Sequence, residues 1–368
     1  MELSDRDFSL QLILANEDAG MLVDENQLKE NLHFYRLYEI GKSLSSFYTS
    51  DTVNFRVSDS GKMNAVAVYQ TKSVVACRGA LNGILQIAER IVEAGFFPEM
   101  GNIVTPEIKE PNFHSVASHR EVLKPAENFS INLEEKTWGK NSERVALFKI
   151  ISEILMGFLV CHEIGHHFNN HGRNKNTTAN RSVDIDDMNG PLNGGSLDKQ
   201  ALESVADDCG FQMLIQHFDS ALSLPVRHPE LDLLRKKFIR TPEDVILRCS
   251  QMAYIYFYFM EMPGWQDRNP MEWTYPPAGF RFHTIYASML EHQHLGVQRD
   301  FLLVLLGETI ISTETMISQS FDVESKLSWM TEMAKYKEHA EKVIERMAAW
   351  SHTGEKVWEP YKEKEEEA

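Results

Sequence analysis

Residues 161–172, CHEIGHHFNNHG, place four histidines and one glutamate in twelve positions, directly after the apolar run ISEILMGFLV. On a helix, His162 and His166 are four apart and project from one face, so two imidazoles can hold one ion. Glu163 sits beside that face. In the H-E-x-x-H pattern this gives zinc two nitrogens and puts a carboxylate where it can take a proton from metal-bound water. The alternative is a histidine-rich helix end whose rings meet solvent or cap carbonyls. A third ligand decides between them, because a catalytic zinc takes three protein groups and keeps one open position.

Two sources compete for that third ligand. The local one is His171, but a metzincin needs glycine three residues after the second histidine and a third histidine six after it. Those offsets hold Asn169 and Gly172, so His171 fails the pattern. The distant source is ALESVADDCG, 201–210. Glu203 and Asp207 are four apart and share a helical face, and an antiparallel return of that helix could bring both to the metal. Glu203 would be the third ligand. Asp207, one turn later, could accept the free N–H of a ligating imidazole, fixing its tautomer.

HEIGH followed by LESVADDCG resembles the gluzincin pattern of zinc metallopeptidases, H-E-x-x-H then E-x-x-x-D or E-x-x-A-D, the HtpX-type group among them. TYPPAGFRFHTI, 274–285, resembles the segment in that group where a proline-containing turn and an arginine follow the glutamate helix, matching at Pro276, Pro277 and Arg281. Among gluzincins, the soluble Lit-type phage-exclusion peptidases are the nearer likeness, since no membrane helices of the HtpX kind are evident. The likeness covers about residues 142–290; 37 residues lead from His166 to Glu203, and Tyr275 stands where HtpX-type chains often carry histidine.

The resemblance implies a soluble, cytoplasmic zinc metalloendopeptidase with Zn2+ on His162, His166 and Glu203, Asp207 behind them, and Glu163 as general base. Tyr275, Arg281 and His283 are the candidate donors to the developing oxyanion, a role that typically contributes about 3–4 kcal/mol. A Lit-type likeness implies a narrow protein target and a role in stress or phage exclusion. A zinc-binding regulatory or interaction protein on a degenerate peptidase scaffold is the alternative.

These residues need helices to position them, and the pattern predicts an α+β chain, predominantly helical, with a zincin-like catalytic unit and a small N-terminal β-sheet. Three regions are expected: 1–138 (α+β), 139–296 (catalytic) and 297–368 (helical, with an acidic tail). Apolar spacing predicts a helix over 26–48; 53–57, 63–70 and 73–77 are β-rich, with SDSGK as a turn between the first two, and 128–133 is a possible strand. Helices follow at 80–95, 142–170 and 197–218, then from Thr241 as N-cap with Pro242 at N1, and at 281–293, 298–319 and 323–350. The turn-rich 172–196 loop joins the two ligand helices and is a candidate lid. An EF-hand register is broken there, since glycine falls seventh from Asp184.

Charge narrows the partners. With 37 basic and 54 acidic residues the net charge is −17, which repels phosphate backbones and anionic lipid, so neither nucleic acid nor membrane is expected and a protein or peptide substrate is. MELSDRDFSLQLIL is acidic before it turns apolar, the reverse of a secretory leader. Lys149 and Glu153 interrupt the longest apolar run. Four cysteines with no C-x-x-C fit reduced thiols.

Overall fold

The computed structural model describes residues 4–101, 123, 131–173, 197–223, 229–261, 268–273, 276–292, 294–323 and 334–351. The architecture is predominantly helical, with one three-stranded sheet near the N-terminus. Its axis is a 27-residue helix, α5 (Ser142–Phe168), started by Asn141, whose side chain accepts from the amides of Glu143 and Arg144. The residues between Ile150 and His166 are buried almost without break. A helix apolar on every side must run through the core. Around it lie α3 (Leu32–Thr49), α4 (Arg78–Glu93), α6 (Leu197–Ser223) and α8 (Pro242–Met260).

The first turn of α5 is fixed by Arg144. Its guanidinium, fully buried, donates to the carbonyls of Val92 at 2.6 Å, Phe96 at 2.6 Å and Phe97 at 3.2 Å. These carbonyls belong to the last turn of α4 and the segment just after it, where the helix dipole favours a cation. One hydrophobic core runs from residue 28 to residue 323 and joins the three regions expected from sequence.

The strands are β1 (Asn54–Ser58), β2 (Ala65–Val68) and β3 (Ser73–Cys77). A sheet forms where expected, but β1 and β2 are not neighbours. The order is β1-β3-β2, with β3 parallel to β1 and antiparallel to β2, so the tight reversal is at Tyr69–Lys72 and not at SDSGK. All of β3 is buried, as a central strand should be.

The helix expected over 26–48 is two. Asp24 and Gln27 form a capping box that starts α2 (Glu25–Lys29), and the Asn31 side chain accepts from the amides of His33 and Phe34 to start α3 afresh. A short polar side chain that bonds its own backbone interrupts a helix without disturbing the apolar spacing. Two further helices, α1 (Asp5–Asn16) and α7 (Pro229–Lys237), lay outside those expectations.

Later elements follow their signals. Thr241 caps α8 through Asp244 N, Pro242 stands first, and α9 (Ala278–His292) and α10 (Arg299–Phe321) come next. The described part of the last expected helix is α11 (Lys337–Met347). The acidic tail lies outside the described residues, as does half of the expected 128–133 strand; of the rest, 131–132 form no strand and Leu133 begins a short 3-10 turn. Helices α5 and α10 are each long and apolar enough to cross a membrane by length and composition, although the apolar window of α5 is 83% buried in the protein.

Candidate metal centre

Close packing of α5 on α6 builds the centre. Gly157 faces Leu214, Gly165 faces Ala206, and Gly210 backs onto the main chain of His162. Position falls along α6 as it rises along α5, so the two helices are antiparallel. The approach is tight: a Cβ on Gly210 would lie 2.6 Å from His162 N, and one on Gly165 would lie 2.9 Å from Ala206 O. These small residues, inside HEIGH and ADDCG, let the ligand helices close.

Glu203 is brought to the two histidines. Its Oε2 lies 3.4 Å from His162 Nε2 and its Oε1 3.6 Å from His166 Nε2, while the two Nε2 atoms are 3.2 Å apart. All three side chains are buried, and their ligand atoms lie within 4.8 Å of one another. This group could bind a metal ion. The donor set fits one: a carboxylate oxygen, Glu203 Oε2, is buried without a hydrogen-bond partner among the described residues, and an uncompensated charge there is expensive. Two imidazoles and a carboxylate are zinc-type ligands.

Electrostatics point the same way. Burial works against a charged His162, yet Asp207 and Glu203 outweigh it and carry the ring up to about 10. Burial would likewise raise Glu203, but His162 beside it holds the carboxyl below its usual range. The two carboxylates thus favour positive charge at His162, whether carried by a proton or by a metal ion. His166 moves the other way, pushed well down by burial and by its histidine neighbours.

Asp207 stands behind His162 with Oδ1 2.8 Å from Nδ1, though out of line for the hydrogen bond expected between them. Sequence reasoning did not foresee what holds Asp207. Arg281 does, donating Nε to Oδ2 at 2.7 Å and Nη2 to Oδ1 at 2.6 Å, while its guanidinium also stacks 4.4 Å from the Phe257 ring centroid. Burial opposes the guanidinium charge, and Asp207 more than restores it. Arg281 is therefore spent on the carboxylate behind the ligand, not aimed at a substrate carbonyl, because a buried Asp207 needs a counter-charge. His283, two residues along α9, is exposed. Tyr275 lies outside the described residues, as do positions 174–196 of the expected lid.

Glu163 is buried on α5 and lies within electrostatic reach of Cys77, at the end of β3. The sheet is held to this end of α5 by His167, whose Nε2 donates to the Ser73 carbonyl at 3.0 Å and whose ring meets Tyr69 edge-on. Burial pushes His167 down to about 4.

His171, rejected as a third ligand by its spacing, is buried on the far side of His166. Its Nδ1 lies 2.9 Å from His166 Nδ1 and its Nε2 3.2 Å from the Trp350 carbonyl oxygen. Burial pushes it down to about 4. The histidine richness of HHFNNH was the signal for this contact, but nothing local indicated Trp350.

No protein-family model, curated protein or solved structure matches this chain.

Proposed function

We propose that the chain is a zincin-like zinc metallopeptidase of gluzincin type that hydrolyses peptide bonds in a protein or peptide substrate inside the cell. The observation that carries this reading is the convergence of Glu203 on His162 and His166, from a separate helix, with Glu163 buried one residue away from the first ligand. A zinc ion in such a site supplies a water of lowered pKa and polarises a carbonyl. His162 and His166 present their Nε2 atoms and Glu203 its carboxylate. Asp207, clamped by Arg281, sets a carboxylate against Nδ1 of His162 and favours positive charge on that ring. Glu163 takes a proton at its carboxylate and returns it to the leaving amine.

Among the described residues the outer edge of β2 is unpaired, but every residue of that strand is buried. Cys77 N donates to Asn64 O, so in the antiparallel ladder residues 64, 66 and 68 turn their main-chain groups to β3, and those of Ala65 and Ala67 face away. An added peptide strand would therefore have to displace what covers this edge, which lies on the strand that packs against α5.

A second reading, a zinc-holding regulatory protein without turnover, is favoured by the engagement of Arg281, which removes one candidate donor to the oxyanion. Purified protein with one zinc per chain, incubated with unfolded protein, separates the two. Under the peptidase reading the wild type cleaves, Glu163→Gln keeps its zinc and does not cleave, and His162→Ala loses the zinc. No cleavage by the zinc-loaded wild type selects the regulatory reading, and cleavage by Glu163→Gln removes Glu163 from the mechanism.

A further inference from the structure

We infer that His171 is a positioning residue that sets the tautomer of His166 and ties the metal centre, through Trp350, to the helix at the far end of the chain. The inference rests on the metal reading of His162, His166 and Glu203. The directions of the hydrogen bonds follow from one atom that cannot donate. The Trp350 carbonyl only accepts, so His171 Nε2, 3.2 Å away, carries a hydrogen. A neutral His171 then has a bare Nδ1. That nitrogen sits 2.9 Å from His166 Nδ1, and the hydrogen between them belongs to His166. His166 is left with its lone pair on Nε2, the atom that faces His162 Nε2 and Glu203.

Metal-binding imidazoles commonly donate their second N–H to a carboxylate or a backbone carbonyl. Here another imidazole stands between the ligand and the carbonyl. Trp350 is itself held in place: its indole Nε1 donates to Asp198 Oδ1 at 2.9 Å, its ring meets His171 edge-on, and Arg346 of α11 pairs with the same Asp198. Asp198 lies in the first turn of α6, the helix that carries Glu203. Val343 of α11 is buried with Ala201 and Phe280 in a small cluster of its own. One tryptophan thus touches the end of the His162–His166 helix through His171 and the start of the Glu203 helix through Asp198.

Nitrogen-15 spectra of the metal-free full-length protein read the tautomer directly, and competition with a chromophoric chelator reads zinc affinity. We expect His166 to carry its hydrogen on Nδ1 in the wild type and to populate the Nε2–H form in His171→Ala. Zinc binding by His171→Ala should weaken about 10–100-fold. His171→Asn, whose amide oxygen can accept in place of Nδ1, should stay close to wild type, and Trp350→Ala should weaken binding in the same direction as His171→Ala. An Nε2–H tautomer in the wild type, wild-type zinc affinity in His171→Ala, or an Asn variant no better than Ala would overturn the inference. A wild type that binds no zinc while His166 still holds its hydrogen on Nδ1 would sink the metal reading and leave the hydrogen-bond relay standing.

Discussion

Arg281 closes on Asp207 with a pair of charge-assisted hydrogen bonds, and neither side chain reaches solvent. Since Asp207 also faces His162, the ion pair acts on that candidate ligand from behind. Arg281→Met leaves Asp207 buried beside His162 without its two charge-assisted hydrogen bonds, which costs up to about 3–5 kcal/mol, read as a lower urea midpoint. Zinc affinity falls with it because His162 loses its fixed carboxylate. Arg281→Lys does not restore either, since an ammonium cannot make the planar two-point contact. A Met variant with wild-type midpoint and affinity would show that the pair is decorative.

A Cβ on Gly210 would meet the main chain of His162, a candidate metal ligand. Alanine there forces α5 and α6 apart, with a destabilisation of about 1–3 kcal/mol. The more telling expectation is weaker zinc binding, although every ligand is still present. Titration of Gly210→Ala with zinc checks it, and unchanged affinity would mean that the helices yield elsewhere.

Zinc at one hundred times its dissociation constant should stabilise the wild type by about 2.7 kcal/mol, seen as a higher melting temperature that a chelator reverses. Glu203→Ala and His166→Ala should show little of this gain. A zinc-dependent rise in Glu203→Ala equal to that of the wild type would take Glu203 out of the ligand set.

Arg144 supplies a contrast. Arg144→Met strips the end of α4 of its donor and should cost about 3 kcal/mol, again by urea unfolding. Its Cα lies about 27 Å along α5 from that of His162, given the rise per residue of a helix. Zinc affinity of the folded variant should therefore match wild type. A large loss would mean that strain travels the length of α5.

The ligand helices were legible because their signals are local. His162 with His166, and Glu203 with Asp207, repeat at the helical spacing, and Thr241 with Pro242 marks a helix start in two letters. What escaped was pairing between distant segments. SDSGK reports that the chain turns, but not that β3 will insert between β1 and β2. Asn31 ends one helix and starts another through a bond to its own backbone, so the apolar spacing reads straight through it. Arg281 reads as a candidate oxyanion donor until Asp207, 74 positions earlier, is placed beside it. Histidine at 171 is visible in the letters, whereas its partner at 350 is set by tertiary packing alone.

That last separation, 179 positions, has a temporal side. Ribosomes deliver the N-terminal part of a chain first, so α5 and α6 emerge and can pack long before the Trp350 carbonyl exists. A nascent polypeptide can thus bring His162, His166 and Glu203 together while His171 still lacks its acceptor, and the centre reaches its final form only after residue 350 has been made.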